Sequence, residues 1–76
     1  MDELIKAIVN PIVDHPEDVR ITSEHTDSKT VYFLSVHSED MGKVIGKQGR
    51  MASSIRSVVR AAGLAHHNNV TLTIQE

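Results

Sequence analysis

The tetrapeptide Gly46-Lys47-Gln48-Gly49 places two glycines and a base inside a run, "DMGKVIGKQGRMASSIRSVVRAAG", that otherwise favours helix. A glycine inside a helix costs about 1 kcal/mol relative to alanine, so the interruption needs a physical reason. At a junction between two helices, glycines reach positive φ and let a ligand's backbone come close with no Cβ in the way. The helix that begins after Gly49 directs unpaired N–H groups and the positive end of its dipole into the same gap. That arrangement suits an anion, a phosphate above all. Lys47 adds charge at the tip, Gln48 offers neutral donors and acceptors, and Lys43 and Arg50 flank the loop. Val44 and Ile45, immediately before it, supply an apolar floor for bases.

Two competing readings use the same glycines. The phosphate loop of nucleotide hydrolases needs glycine, four residues, then Gly-Lys-Ser/Thr. Here Met41 stands where the first glycine belongs, and Gln48 replaces the hydroxyl that would hold magnesium, so that motif is excluded. The other is a bare helix corner in which glycine only relieves crowding. Five histidines invite a metal or catalytic reading, but none shows helical ligand spacing: His66 and His67 are adjacent, His15 precedes Pro16, and His25 and His37 lie near strand ends. Surface histidines are expected, with no metal and no cofactor. No serine-histidine-acid or paired-carboxylate arrangement is readable, so the chain is not expected to be an enzyme.

The charge distribution supports an anionic partner. Net charge is −2, yet the first 40 residues hold three bases against nine acids, while residues 41–75 hold five bases (Lys43, Lys47, Arg50, Arg56, Arg60) and no acid. The asymmetry implies an electropositive face that the total conceals. With 76 residues there is room for one domain and one small core. The absence of cysteine excludes a disulfide staple or thiolate metal site and suits a reducing cytoplasm. "MDELIKAIV" has neither the basic start nor the uninterrupted apolar run of a secretory signal, and no stretch approaches the roughly 18 apolar residues of a membrane span.

The elements that must position the loop follow from periodicity. Ile5, Ile8, Val9, Ile12 and Val13 share one helical face, with Pro11 kinking or restarting the last turn and "DHPED" ending it. "DVRITSEH", the turn "TDSK" and "TVYFLSVH" read as a hairpin whose second strand, apolar on both faces, is central. Ser38 is placed to cap a short helix from Glu39 to about Ile45, with Glu39 and Asp40 against its positive end. A longer helix after the glycines carries Ala52, Ile55, Val58, Val59 and Ala62 on one side and Arg50, Ser53, Arg56, Ser57 and Arg60 on the other, with Gly63 as its stop. Val70, Leu72 and Ile74 alternate with polar residues in a third strand. The order α-β-β-α-α-β makes the third strand parallel to the second and puts the helices on one face of a three-stranded mixed sheet, an α+β class.

"VIGKQGRMASSI", Val44 to Ile55, resembles the signature of KH domains, hydrophobic-Ile-Gly-x-x-Gly followed by an amphipathic helix, and the element order is that of the type II KH fold. Across its whole length the chain is similar to the small bacterial KhpA-type RNA-binding proteins. Met51, Ser53 and Ser54 stand where relatives often carry threonine, alanine or a base. The resemblance implies a single KH domain over residues 1–76 and single-stranded RNA as ligand, with Gly46 and Gly49 bringing the loop backbone against phosphates. It also implies Lys47 and Gln48 as the two variable positions, Ile45 and Ile55 in an apolar groove, and Lys43 and Arg50 at its entrance. With only Tyr32 and Phe33 as aromatics, ring stacking is not expected to dominate affinity.

The apolar arc of the long helix, about 140° wide, exceeds what one small sheet face requires. Val58, Ala61, Leu64 and Ala65 form its candidate self-association edge. By resemblance, the partners are a second copy and the larger KH-containing protein KhpB (Jag or EloR). The resemblance implies an RNA chaperone or post-transcriptional regulator tied to cell-envelope synthesis, cell wall biogenesis, cell shape and cell length. The alternative is a dimerisation module whose loop no longer binds RNA.

Overall fold

The computed structural model describes residues 1–75. Helix α1, Asp2–Val9, turns Ile5 and Val9 fully inward. Pro11 cannot donate, and the chain leaves the helix in a tight turn in which the N–H groups of Ile12 and Val13 both reach Val9 O, at 2.9 and 3.3 Å. This is the restarted last turn that the proline predicts, and it delivers Val13 to the core. A 3-10 turn over Pro16–Asp18 then leads to β1, Arg20–His25. The turn at Thr26–Lys29 closes with Thr26 N–H donating to Lys29 O at 2.8 Å, and β2, Thr30–Ser35, returns antiparallel with Leu34 opposite Ile21.

A 3-10 turn at Ser38–Asp40 runs directly into α2, Met41–Ile45; after the glycine loop, α3 occupies Arg50–Ala65 and β3 Val70–Gln75. β3 pairs in parallel with β2, Ile74 opposite Leu34, so the sheet order is β1-β2-β3 with β2 in the centre. The type II KH order and the mixed sheet are as the sequence leads one to expect. Val70, Leu72 and Ile74 are buried while Thr71, Thr73 and Gln75 are exposed, so the helices cover one sheet face. Ile5, Val9, Leu34, Val44, Ile55 and Val59 fill the space between them. Each such fully buried aliphatic side chain contributes about 1.5–3 kcal/mol of transfer free energy.

Two local expectations are corrected. The cap before α2 is not the Ser38 hydroxyl: His37 Nδ1 accepts from Glu39 N–H at 3.0 Å. Asp40 stands at the start of α2 as expected, and it is fully buried there. Gly63 does not stop α3, which continues to Ala65, with His67 taking the left-handed conformation beyond it at φ 59°. A Cβ on Gly63 would lie 2.8 Å from Val70 Cβ, so glycine there permits the close approach of α3 to the start of β3.

Candidate nucleic-acid interface

The loop between α2 and α3 reverses the chain with three positive φ values in four residues. Gly46 has φ 75° and ψ 179°, a conformation essentially confined to glycine, and Gly49 has φ 75° and ψ 12°. Between them Gln48 is left-handed at φ 57°, a state that costs a non-glycine residue roughly 1–2 kcal/mol. The two glycines serve different needs. A Cβ on Gly46 would meet Met51 Cβ at 2.6 Å and Met51 N at 2.9 Å, whereas among the described residues nothing lies within 4 Å of the Cβ position on Gly49. Gly46 lets the loop fold back on α3, and Gly49 leaves an open backbone surface.

That surface lies at the start of a 16-residue helix with no side-chain cap and no acid in its first turn. Its orphan N–H groups and dipole favour an anion. Lys47 is exposed and makes no ion pair among the described residues, and Arg50 Nη2 donates to Gln48 Oε1 at 3.4 Å, which steadies the loop's polar tip. Ile45 is half-buried against the core.

Other expected site residues are placed differently. Ile55 is only 2% exposed, and Val44 is fully buried: both support the loop from beneath and present no surface to a ligand. The helical periodicity that makes Ile55 apolar points it at the sheet. Lys43 is exposed but engaged, its Nζ donating to Asp14 Oδ2 and lying 4.0 Å from Asp40 Oδ1. The hydrogen bond to Asp14 raises the Lys43 pKa above the usual lysine value, against desolvation that lowers it. Asp40 accepts the backbone N–H groups of Asp14 at 3.0 Å and His15 at 2.9 Å, tying the connection after α1 to the start of α2. Burial pushes its carboxyl up, but those two donors, with the charges of His15 and Lys43, outweigh burial and hold it below the ordinary carboxylate value.

Arg56 and Arg60 were not among the expected site residues. Together with Asn69, Val70, Thr71 and Leu72 they line a shallow groove of about 280 Å³ between α3 and β3. β3 is an edge strand, so among the described residues one row of its backbone donors and acceptors has no strand partner. Arg56 and Arg60 stand four residues apart on one helix stripe, and that much is visible in the sequence. The strand beside them is not, because it depends on the packing of Gly63 on Val70. Val58 and Leu64, 48% and 61% exposed, lie elsewhere on α3 with the exposed Ala61 and Ala65.

Sequence comparison gives a consistent assignment. A family model described as KhpA/KhpB, KH domain matches residues 2–74. The chain is 57% identical over 76 residues to RNA-binding protein KhpA of Listeria monocytogenes, with the whole of both chains covered. It is 51% identical over 74 residues to RNA-binding protein KhpA of Bacillus subtilis, covering 97% of this chain and 91% of that one. Against RNA-binding protein KhpA of Clostridium perfringens the identity is 45% over 74 residues, covering 97% and 99%. With its sheet order, its glycine loop and these matches along its whole length, the chain belongs to the KhpA/KhpB KH-domain family.

Proposed function

We propose that this protein binds single-stranded RNA, holding the sugar-phosphate backbone at the Gly46–Gly49 loop and laying the following nucleotides along the groove between α3 and β3. The observation that carries the reading is the open Gly49 backbone at the uncapped start of α3, with exposed Lys47, Arg50, Arg56 and Arg60 in the loop and along that helix. A KH loop of this kind clamps about four nucleotides, and splayed single strands expose the base edges that the free rim of β3 can meet. The relatives' name, RNA-binding protein KhpA, supports the same ligand. Replacing Lys47 and Gln48 together by aspartate tests it: RNA affinity falls while the fold, read by circular dichroism, is kept.

The binding role is non-catalytic, and its setting is the cytoplasm, where the protein acts as an RNA chaperone or post-transcriptional regulator serving cell-envelope synthesis and cell length. No helix among the described residues is long and apolar enough to cross a membrane. The protein works as a homodimer or with a KhpB (Jag/EloR)-type partner through Val58, Ala61, Leu64 and Ala65. The exposure of two large aliphatic groups, Val58 and Leu64, on α3 supports this interface. The same exposure supports the alternative of a dimerisation module with a silent loop, and the aspartate variant separates the two.

A further inference from the structure

The connection between α1 and β1 packs on the turn that precedes α2, and at that contact the rings of His15 and His37 stack with centroids 4.1 Å apart and planes inclined by 24°. Glu39 Oε1 lies 3.5 Å from His15 Nε2 and 3.7 Å from His37 Nδ1. The nitrogen of each ring that faces away from Glu39 has its own carboxylate: Glu17 Oε1 is 3.4 Å from His15 Nδ1, and Asp18 Oδ2 is 4.0 Å from His37 Nε2. Asp40, buried beneath, fixes the backbone of His15 through its N–H. Asp14, Glu17, Asp18, Glu39 and Asp40 thus surround two imidazoles and a single lysine, Lys43.

We propose that His15, His37 and Glu39 form a binding site for a divalent transition-metal ion of the zinc class, with water in the fourth position. Donor atoms at 2.0–2.1 Å from a tetrahedral zinc lie about 3.3 Å from one another, and the two separations to Glu39 exceed that by only a few tenths. One donor atom from each of the three residues lies within 4.8 Å of the others. A carboxylate on the far nitrogen of a ligating imidazole sets its tautomer and raises its basicity, and Glu17 stands in that position for His15. Imidazole donors select zinc, copper or nickel over calcium and magnesium, and the excess of carboxylates favours a dication over a monovalent ion. Coordination exchanges the bond that His37 Nδ1 accepts from Glu39 N–H for a bond to metal. It also needs both rings to turn out of their stack, a motion that the broad, soft χ2 torsion of histidine allows. The bound ion clamps the α1–β1 connection to the turn leading into α2, and the site is independent of whether the loop binds RNA.

The test is calorimetric titration of chelator-treated protein with zinc chloride, with thermal melting alongside. One equivalent with micromolar affinity and a raised melting temperature is expected. His15→Asn, His37→Gln and the exposed Glu39→Gln should each abolish or greatly weaken it, and Glu17→Gln should weaken it roughly tenfold or more. The combined His25→Asn, His66→Asn, His67→Asn variant should bind as the parent does. Saturation only at about millimolar zinc, loss of binding in that triple variant, or parental affinity in folded Glu39→Gln and His37→Gln would overturn the assignment.

Discussion

Alanine at the two loop glycines should have sharply unequal effects on stability. At Gly49 the backbone is left-handed, which costs a side chain about 1–2 kcal/mol, and the added methyl group touches nothing. The unfolded chain loses freedom on the same substitution, which returns about 0.4–1 kcal/mol. Gly49→Ala is therefore expected to lose about 1 kcal/mol, a fall in Tm of about 4–8 °C for a domain this small. At Gly46 the conformation is essentially confined to glycine, and forcing a side chain into it costs about 1–3 kcal/mol. The clash with Met51 then adds about 1–3 kcal/mol, since one of the opposing atoms is backbone nitrogen and cannot swing aside. After the same return, Gly46→Ala should lose about 3 kcal/mol, within limits of about 1–5.5 kcal/mol, a large part of the roughly 4–11 kcal/mol expected for 76 residues. Urea unfolding of the two variants and the parent, at unchanged m-value, measures both. Equal losses, or a Gly46→Ala variant as stable as the parent, would refute the division of labour between the glycines.

The other predictions concern the groove, the buried acid and the apolar edge. Arg56→Ala and Arg60→Ala should each weaken RNA binding and lower the slope of log K against log salt by about 0.7; an unchanged slope would remove the α3–β3 groove from the ligand's path. Asp40 titrates lower in the folded than in the unfolded chain, so its contribution is complete above the ordinary carboxylate value of 3.8 and is lost as pH falls through the folded value. Asp40→Asn should therefore lower Tm at neutral pH and flatten the acid limb of the Tm–pH curve, and an acid limb as steep as the parent's would contradict this. Val58→Tyr should leave the monomer folded and shift it away from dimer in sedimentation; unchanged sedimentation would place any self-association elsewhere.

What the sequence discloses about this protein is mostly periodic or local. The alternation from Val70 to Gln75 gives β3 and its buried face, and the break at Gly46–Gly49 gives the loop, because backbone conformation there is decided by the residues themselves. What it withholds depends on contacts between distant segments. Asp40 reads as a favourable charge at a helix start until Asp14 and His15 bring their N–H groups to it. His15 and His37 carry no ligand spacing because two strands and two turns separate them, and only packing stacks their rings. Gly63 reads as a stop, since nothing local reveals Val70 against it. Ile55 has the periodicity of a core residue and is buried, while Arg56 and Arg60, one turn apart beside it, read as bases but reveal their groove only through the packing of α3 against β3.

Whether the Gly46–Gly49 loop holds a nucleic-acid backbone can be measured in solution. Fluorescence anisotropy of a labelled single-stranded RNA, titrated with the parent and with the Lys47→Asp, Gln48→Asp double variant at several salt concentrations, tests it most directly. Saturable binding by the parent is expected, with a salt slope of about 0.7 for each phosphate neutralised, and its loss in a variant that remains folded. Parental affinity and slope in that folded variant would contradict it.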